Sequence, residues 1–133
     1  VRDHLDAEPE VLARLRPICL GLPEVEEQRA WVGTRWCIRK KNFAHVVRIE
    51  DGWPPAYVAA TGIEAGTVLT FRVPTDELDA LTHAGPPFFK PVWFTDIVGL
   101  VLDERTDWTE VAELLTESYC VLAPRKLVEQ VRG

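Results

Sequence analysis

Serine is almost missing from this chain: Ser118 is the only one in 133 residues. It falls in the middle of a helical pattern, with no GxSxG context around it, so serine-nucleophile chemistry is excluded. Cysteine is scarce as well. Cys19, Cys37 and Cys120 stand far apart without CxxC spacing, which excludes a zinc knuckle and a disulfide framework and makes a reducing cytoplasm the default setting. The three histidines, His4, His45 and His83, lie about forty residues from one another, with no HExxH or His-x-His among them. The glycine-flanked Gly62-Ile63-Glu64-Ala65-Gly66 lacks the lysine and hydroxyl of a phosphate loop. No run of ~18 apolar residues and no basic-then-apolar leader occurs, so neither a membrane span nor a signal peptide is expected.

What remains is an ordinary globular composition, 47% hydrophobic and 27% charged, long enough for one domain with a real core. The formal net charge of −6 hides a segregation. Residues 31–50 carry Arg35, Arg39, Lys40, Lys41 and Arg48 against Glu50 alone, whereas the segments on either side are acidic. A local cationic patch attracts phosphate even on an anionic molecule, although long-range steering is then poor. The plainer reading is a solvated, charged hairpin.

Hydrophobic spacing sets the elements. Val11, Leu12, Leu15, Cys19 and Leu20 recur at three and four, with Pro9 in the first turn, and predict a helix that Gly21 and Pro23 end and Pro17 should kink or shorten. Asp3, Asp6, Glu8 and Glu10 near its start offer a weak oxygen-ligand ridge for a hard cation, but complementing the helix dipole is the ordinary role. Arg35 to Arg39 alternates, with Trp36 and Ile38 on one face. Lys40-Lys41-Asn42 reads as a turn, and Phe43 to Ile49 as the returning strand, with Phe43, Val47 and Ile49 sharing a face with His45. Tyr57 to Ala60 reads as a short strand and Gly66 to Val73 as a stronger one. Pro74-Thr75 opens a short helix, the segment Phe88 to Phe94 is aromatic and proline-broken, and Asp96 to Leu102 is an apolar strand. Asp107 with Glu110 starts the clearest helix, striped by Val111, Leu114, Leu115, Ser118 and Leu122. Pro124 ends it, and Arg125 to Val131 adds a terminal turn. Helices around an antiparallel meander predict an α+β two-layer sandwich, its antiparallel sheet carrying helices on one face, as a single domain over 1–133.

Cys37 and His45 lie on strands that should pair. A Cys–His nucleophile needs a third orienting group, however, and a strand cysteine ordinarily packs as a small hydrophobe. No catalytic residue, metal or cofactor is assigned. The hairpin carries the functional expectation: Arg35, Arg39, Lys40, Lys41 and Arg48 as phosphate contacts, Asn42 as a base-edge or turn hydrogen bond, His45 beside the arginines, and Trp36 or Trp53 as a stacking ring if exposed. A two-stranded ribbon is narrow enough for a major groove. Trp31, Trp93 and Trp108 are assigned to packing.

Leu22-Pro23-Glu24-Val25-Glu26-Glu27 leading to Trp31, then Lys41-x-Phe43-Ala44, Asp107-Trp108 with Glu110, Ser118-Tyr119 and Ala123-Pro124-Arg125-Lys126-Leu127 together resemble the MmcQ/YjbR family, over residues 8 to 128. Ile97 departs from a tryptophan found in members of that family. The resemblance implies a small bacterial α+β domain, related to secretion-chaperone-like and CyaY-like folds and assigned to DNA binding by analogy of fold. Two expectations follow: a cytoplasmic DNA-binding domain without catalysis, or a protein-binding, chaperone-like or self-associating module using the aromatic 88–94 segment.

Overall fold

The computed structural model describes residues 6–93 and 95–133; Asp3, His4 and Phe94 lie outside them. Eleven elements follow one another: α1 (Pro9–Leu20), β1 (Val25–Arg29), β2 (Thr34–Ile38), β3 (Lys41–Ile49), α2 (Pro55–Thr61), β4 (Gly66–Arg72), α3 (Thr75–Thr82), β5 (Phe88–Phe89), β6 (Ile97–Leu102), α4 (Trp108–Leu122) and α5 (Arg125–Arg132). The strands form one antiparallel sheet in the order β1-β2-β3-β4-β6-β5. This is an α+β fold with an open six-stranded sheet.

The main core lies between the sheet and α1, α4 and α5. Leu15 and Cys19 of α1, Val111, Leu115 and Tyr119 of α4 and Leu127 of α5 meet Trp36, Ile38, Phe43, Val46, Leu69, Phe71, Val98 and Leu100. The Asp107 carboxylate caps α4 by accepting from the Thr109 and Glu110 amides, satisfying two of its orphan donors. Pro17 neither breaks nor shortens α1, which runs to Leu20 with Cys19 fully buried.

A second, smaller cluster occupies the opposite face: Val47, Ile49, Val68 and Phe89, with Tyr57, Val58 and Ile63 against them. Here the sequence reading needs correction. Tyr57 to Ala60 is helical, in α2, not a strand. Pro55 opens α2 with a preset φ, and Gly62 closes it in the left-handed conformation (φ +77°). Four apolar residues alone do not reveal their period.

A bulge corrects a second reading. Trp36 pairs with Ala44 but Cys37 pairs with Asn42, which leaves Phe43 as an extra residue in β3. Phe43 therefore turns into the helix-side core with Ala44 and Val46, while His45, Val47 and Ile49 face the other way. The bulge also frees the Phe43 carbonyl. Ser118 Oγ donates to it at 2.5 Å and accepts from the Arg72 amide at 2.8 Å, so the lone serine stitches β3 to β4. Its hydroxyl proton is committed to that bond.

Candidate nucleic-acid interface

β2 and β3 form the expected hairpin, but its turn lies one residue earlier than the sequence reading placed it. Ile38 pairs with Lys41, and Arg39 and Lys40 are the two loop residues, at φ 51° and 68°. Positive φ at both positions defines a primed turn, which matches the right-handed twist of the flanking strands. Asn-Gly is the usual occupant because L side chains resist this conformation. Two long cationic side chains stand there instead, followed by Lys41, and all three are exposed.

The remaining site residues spread out along the hairpin. Arg39 Nε donates to Glu24 Oε1 at 2.9 Å, a pair exposed on both sides. Among the described residues, no carboxylate pairs with Lys40 or Lys41. Asn42 takes the turn role, its Oδ1 accepting from the Ala44 amide across the bulge. Arg35 is half-buried on the α2-bearing face, directly opposite His45, with Nε donating to Gln28 Oε1 at 3.1 Å. Arg48 stands near the far end of β3, within 3.7 Å of Glu8 and 3.5 Å of Glu50. These carboxylates offset its charge and separate it from the tip.

Trp36 is not a stacking ring. It is fully buried in the main core, and its indole N–H donates to Glu27 Oε1 at 3.0 Å. Glu27 also takes the Arg16 guanidinium at 3.0 Å, so one carboxylate satisfies the indole and ties α1 to β1. Cys37 is buried too, its thiol pKa raised chiefly by desolvation and opposed by Arg35. That is the state of a packing cysteine rather than an activated nucleophile.

His45 points inward. Its Nε2 lies 2.6 Å from the Val32 carbonyl, which can only accept, so the proton sits on Nε2. Nδ1 is then the acceptor facing the Tyr57 hydroxyl at 3.4 Å. Burial lowers its pKa; the Val32 bond works against that, and Arg35 adds to it. A neutral His45 thus joins the β1–β2 loop to α2.

That loop holds what the sequence reading missed. Trp31, assigned to packing, is 90% exposed. Its ring meets Trp53 edge-on at 6.1 Å, and Tyr57 meets Trp93 in the same way at 5.0 Å. Gly33 makes the loop possible: at φ +76°, a Cβ there would fall 2.0 Å from the Val46 carbonyl. Nothing in the spacing of Trp31 separates it from a core ring, because exposure is set by where the loop is pinned. Trp108 does pack, with the Arg14 guanidinium 5.8 Å over its ring. In the aromatic 88–94 segment, Phe89 covers Gly99 and Val92 is 94% exposed.

The helix side of the molecule is chemically different. A shallow groove of about 610 Å³ along α4 is lined by Glu77, Glu110, Glu113 and Glu117. Among the described residues no cluster of His, Cys, Asp and Glu could hold a metal ion, and no helix is long and apolar enough to cross a membrane.

An open antiparallel sheet backed by α1, α3, α4 and α5, with a cationic hairpin tip at one end and an aromatic rim on its other face, defines a small α+β domain built around a surface. The chain belongs to the YjbR family, whose model matches residues 20–121. Among solved structures it is similar to a protein from Pseudomonas syringae, with a TM-score of 0.63 and 11% identity over 86% of this chain and 98% of that one. It is also similar to a Deinococcus radiodurans protein with a DUF419 domain, with a TM-score of 0.57 and 16% identity over 89% and 85% of the two chains. At these identities the likeness is one of fold. No curated protein matches the chain.

Proposed function

We propose that this YjbR-family domain binds nucleic acid, using the tip of the β2–β3 hairpin to hold phosphates, and that it does so without catalysis. One observation carries the reading. Arg39 and Lys40 occupy left-handed positions that cost roughly 1 kcal/mol or more per L residue and that Asn-Gly would fill without strain. A strained local choice whose structural return is one exposed ion pair, Arg39 with Glu24, points to use of the side chains themselves. With Lys41 they put three cations on a narrow ribbon, between the buried Ile38 and the half-buried Asn42. The absence of catalysis fits the commitment of Ser118 and Cys37 to packing and hydrogen bonding.

The test is fluorescence anisotropy with labelled duplex and single-stranded DNA at ~50 and ~200 mM salt. About three phosphate contacts give a log–log salt slope near −2 to −3. The triple change Arg39→Glu, Lys40→Glu and Lys41→Glu should abolish binding. No binding at the lower salt, or an unaffected variant, rejects the proposal. A second reading, a protein-interaction module, is favoured by the exposure of Trp31 and Val92. Co-purification of a partner by wild type but not by Trp31→Ala would support it.

A further inference from the structure

Trp31, Arg35 and the Lys40 turn follow one another along β2, and Trp31 and Arg35 share a face; Lys41, opposite Ile38, is on the helix side. β2 spans about 16 Å at ~3.3 Å per residue, with Lys40 just beyond one end and the Trp31 loop beyond the other. Arg35 stands between them on the face that carries α2. Its position opposite His45, and the His45–Tyr57 contact, fix that orientation. Trp31 belongs to the same face through Trp53, which leads into α2. We infer that the occupant of this face is a single strand of nucleic acid, its phosphates on Lys40 and Arg35 and a base on the Trp31 ring; the inference rests on the function proposed above.

Two physical arguments favour a single strand over a duplex. A duplex buries its base faces, so a ring as exposed as Trp31 gains nothing from it beyond groove contact, whereas unpaired bases offer a π-face to stack on. A duplex is also a rigid, dense array of charge, and beyond the hairpin it meets an acidic molecule of formal net charge −6. A flexible strand follows the cations and avoids the carboxylates. The Trp31-to-Lys40 path fits the ~4–16 nucleotides that single-strand sites of this kind cover. Trp53 holds Trp31 edge-on, which leaves the broad face of the outer ring to solvent.

Labelled oligo-dT and a duplex of equal length provide the probes, read by anisotropy and by quenching of intrinsic tryptophan fluorescence. Wild type should prefer the single strand. Trp31→Ala, at a position exposed enough to leave the fold intact, should lower oligo-dT affinity roughly five- to a hundredfold. Duplex affinity and the salt slope should stay unchanged. Arg35→Gln should weaken both strands' binding and reduce the slope by about one. Equal affinity for both probes with no effect of Trp31→Ala would overturn the inference and leave hairpin phosphate binding standing. Failure of both probes to bind would overturn the two together. A Trp31→Ala change that converts a dimer to a monomer in sedimentation, with DNA affinity unmoved, would assign the ring to a second copy and sink the single-strand reading.

Discussion

Removing the lone serine tests how the bulged sheet is held together. Ser118→Ala deletes a hydroxyl that donates to the buried Phe43 carbonyl and accepts from the Arg72 amide. Both groups sit where the register slip opens the β3 ladder, and Ser118 is fully buried, so water cannot replace the lost bonds without opening the core. Leaving a buried polar group unpaired costs about 1–3 kcal/mol. The carbonyl should bear the larger share, because the Arg72 end of β4 is only half-buried. The higher helix propensity of alanine returns about 0.5 kcal/mol. The net expectation is a loss of about 2–4 kcal/mol, a large part of the ~5–15 kcal/mol that stabilises a typical domain. Urea denaturation with a common m-value is the assay. Thr116→Ala is the control on the same helix: its hydroxyl bonds only the Ala112 carbonyl one turn back, so the change should stay within about 0.5 kcal/mol. Equal, small effects of the two substitutions would refute the assignment of a bridging role to Ser118.

Three further outcomes follow from the same structure. Replacing Arg39-Lys40 by Asn-Gly should raise stability by about 1 kcal/mol while removing nucleic-acid binding, and an unchanged or lowered melting temperature would remove the strain argument. His45 resists protonation in the fold, so below its unfolded value of 6.5 the unfolded chain takes up a proton that the native chain refuses. Its contribution is complete above that pH and declines as the pH falls from there through the lower folded value; His45→Gln should flatten the melting-temperature profile between pH 7.5 and 5, and an unaltered profile counts against the buried neutral ring. Gly99→Ala sets a methyl group 2.1–2.4 Å from the Phe89 ring and should cost about 1–3 kcal/mol by pushing β5 off the sheet, whereas a neutral result would show that β5 moves freely.

Some of this architecture was readable from spacing because periodicity reports local burial. The stripe through Val111, Leu115 and Ser118 defines α4, the Asp107 cap defines its start, and apolar alternation locates β4. β1 was not readable. Val-Glu-Glu-Gln-Arg has no alternation, and only pairing with β2 at the sheet edge makes it a strand. The site divides in the same way. That residues 31–50 concentrate positive charge is a property of the chain, and the family could be named from motif order.

Which charges remain available was decided elsewhere. Glu24 reaches Arg39 and Glu8 reaches Arg48 from distant segments, and both contacts exist only once α1 and β1 have docked. The tryptophans make the point most clearly, since Trp31 and Trp36 stand five residues apart and are equally apolar. One lies on a strand face covered by α1 and α4; the other lies in a loop that Gly33 and the His45–Val32 bond hold outside the core. Composition and period therefore determined the class and the cationic stretch, and the resemblance in motif order pointed to the family. Which ring is core and which is surface depends on contacts between segments far apart in the chain, and those arise only when the sheet closes against its helices.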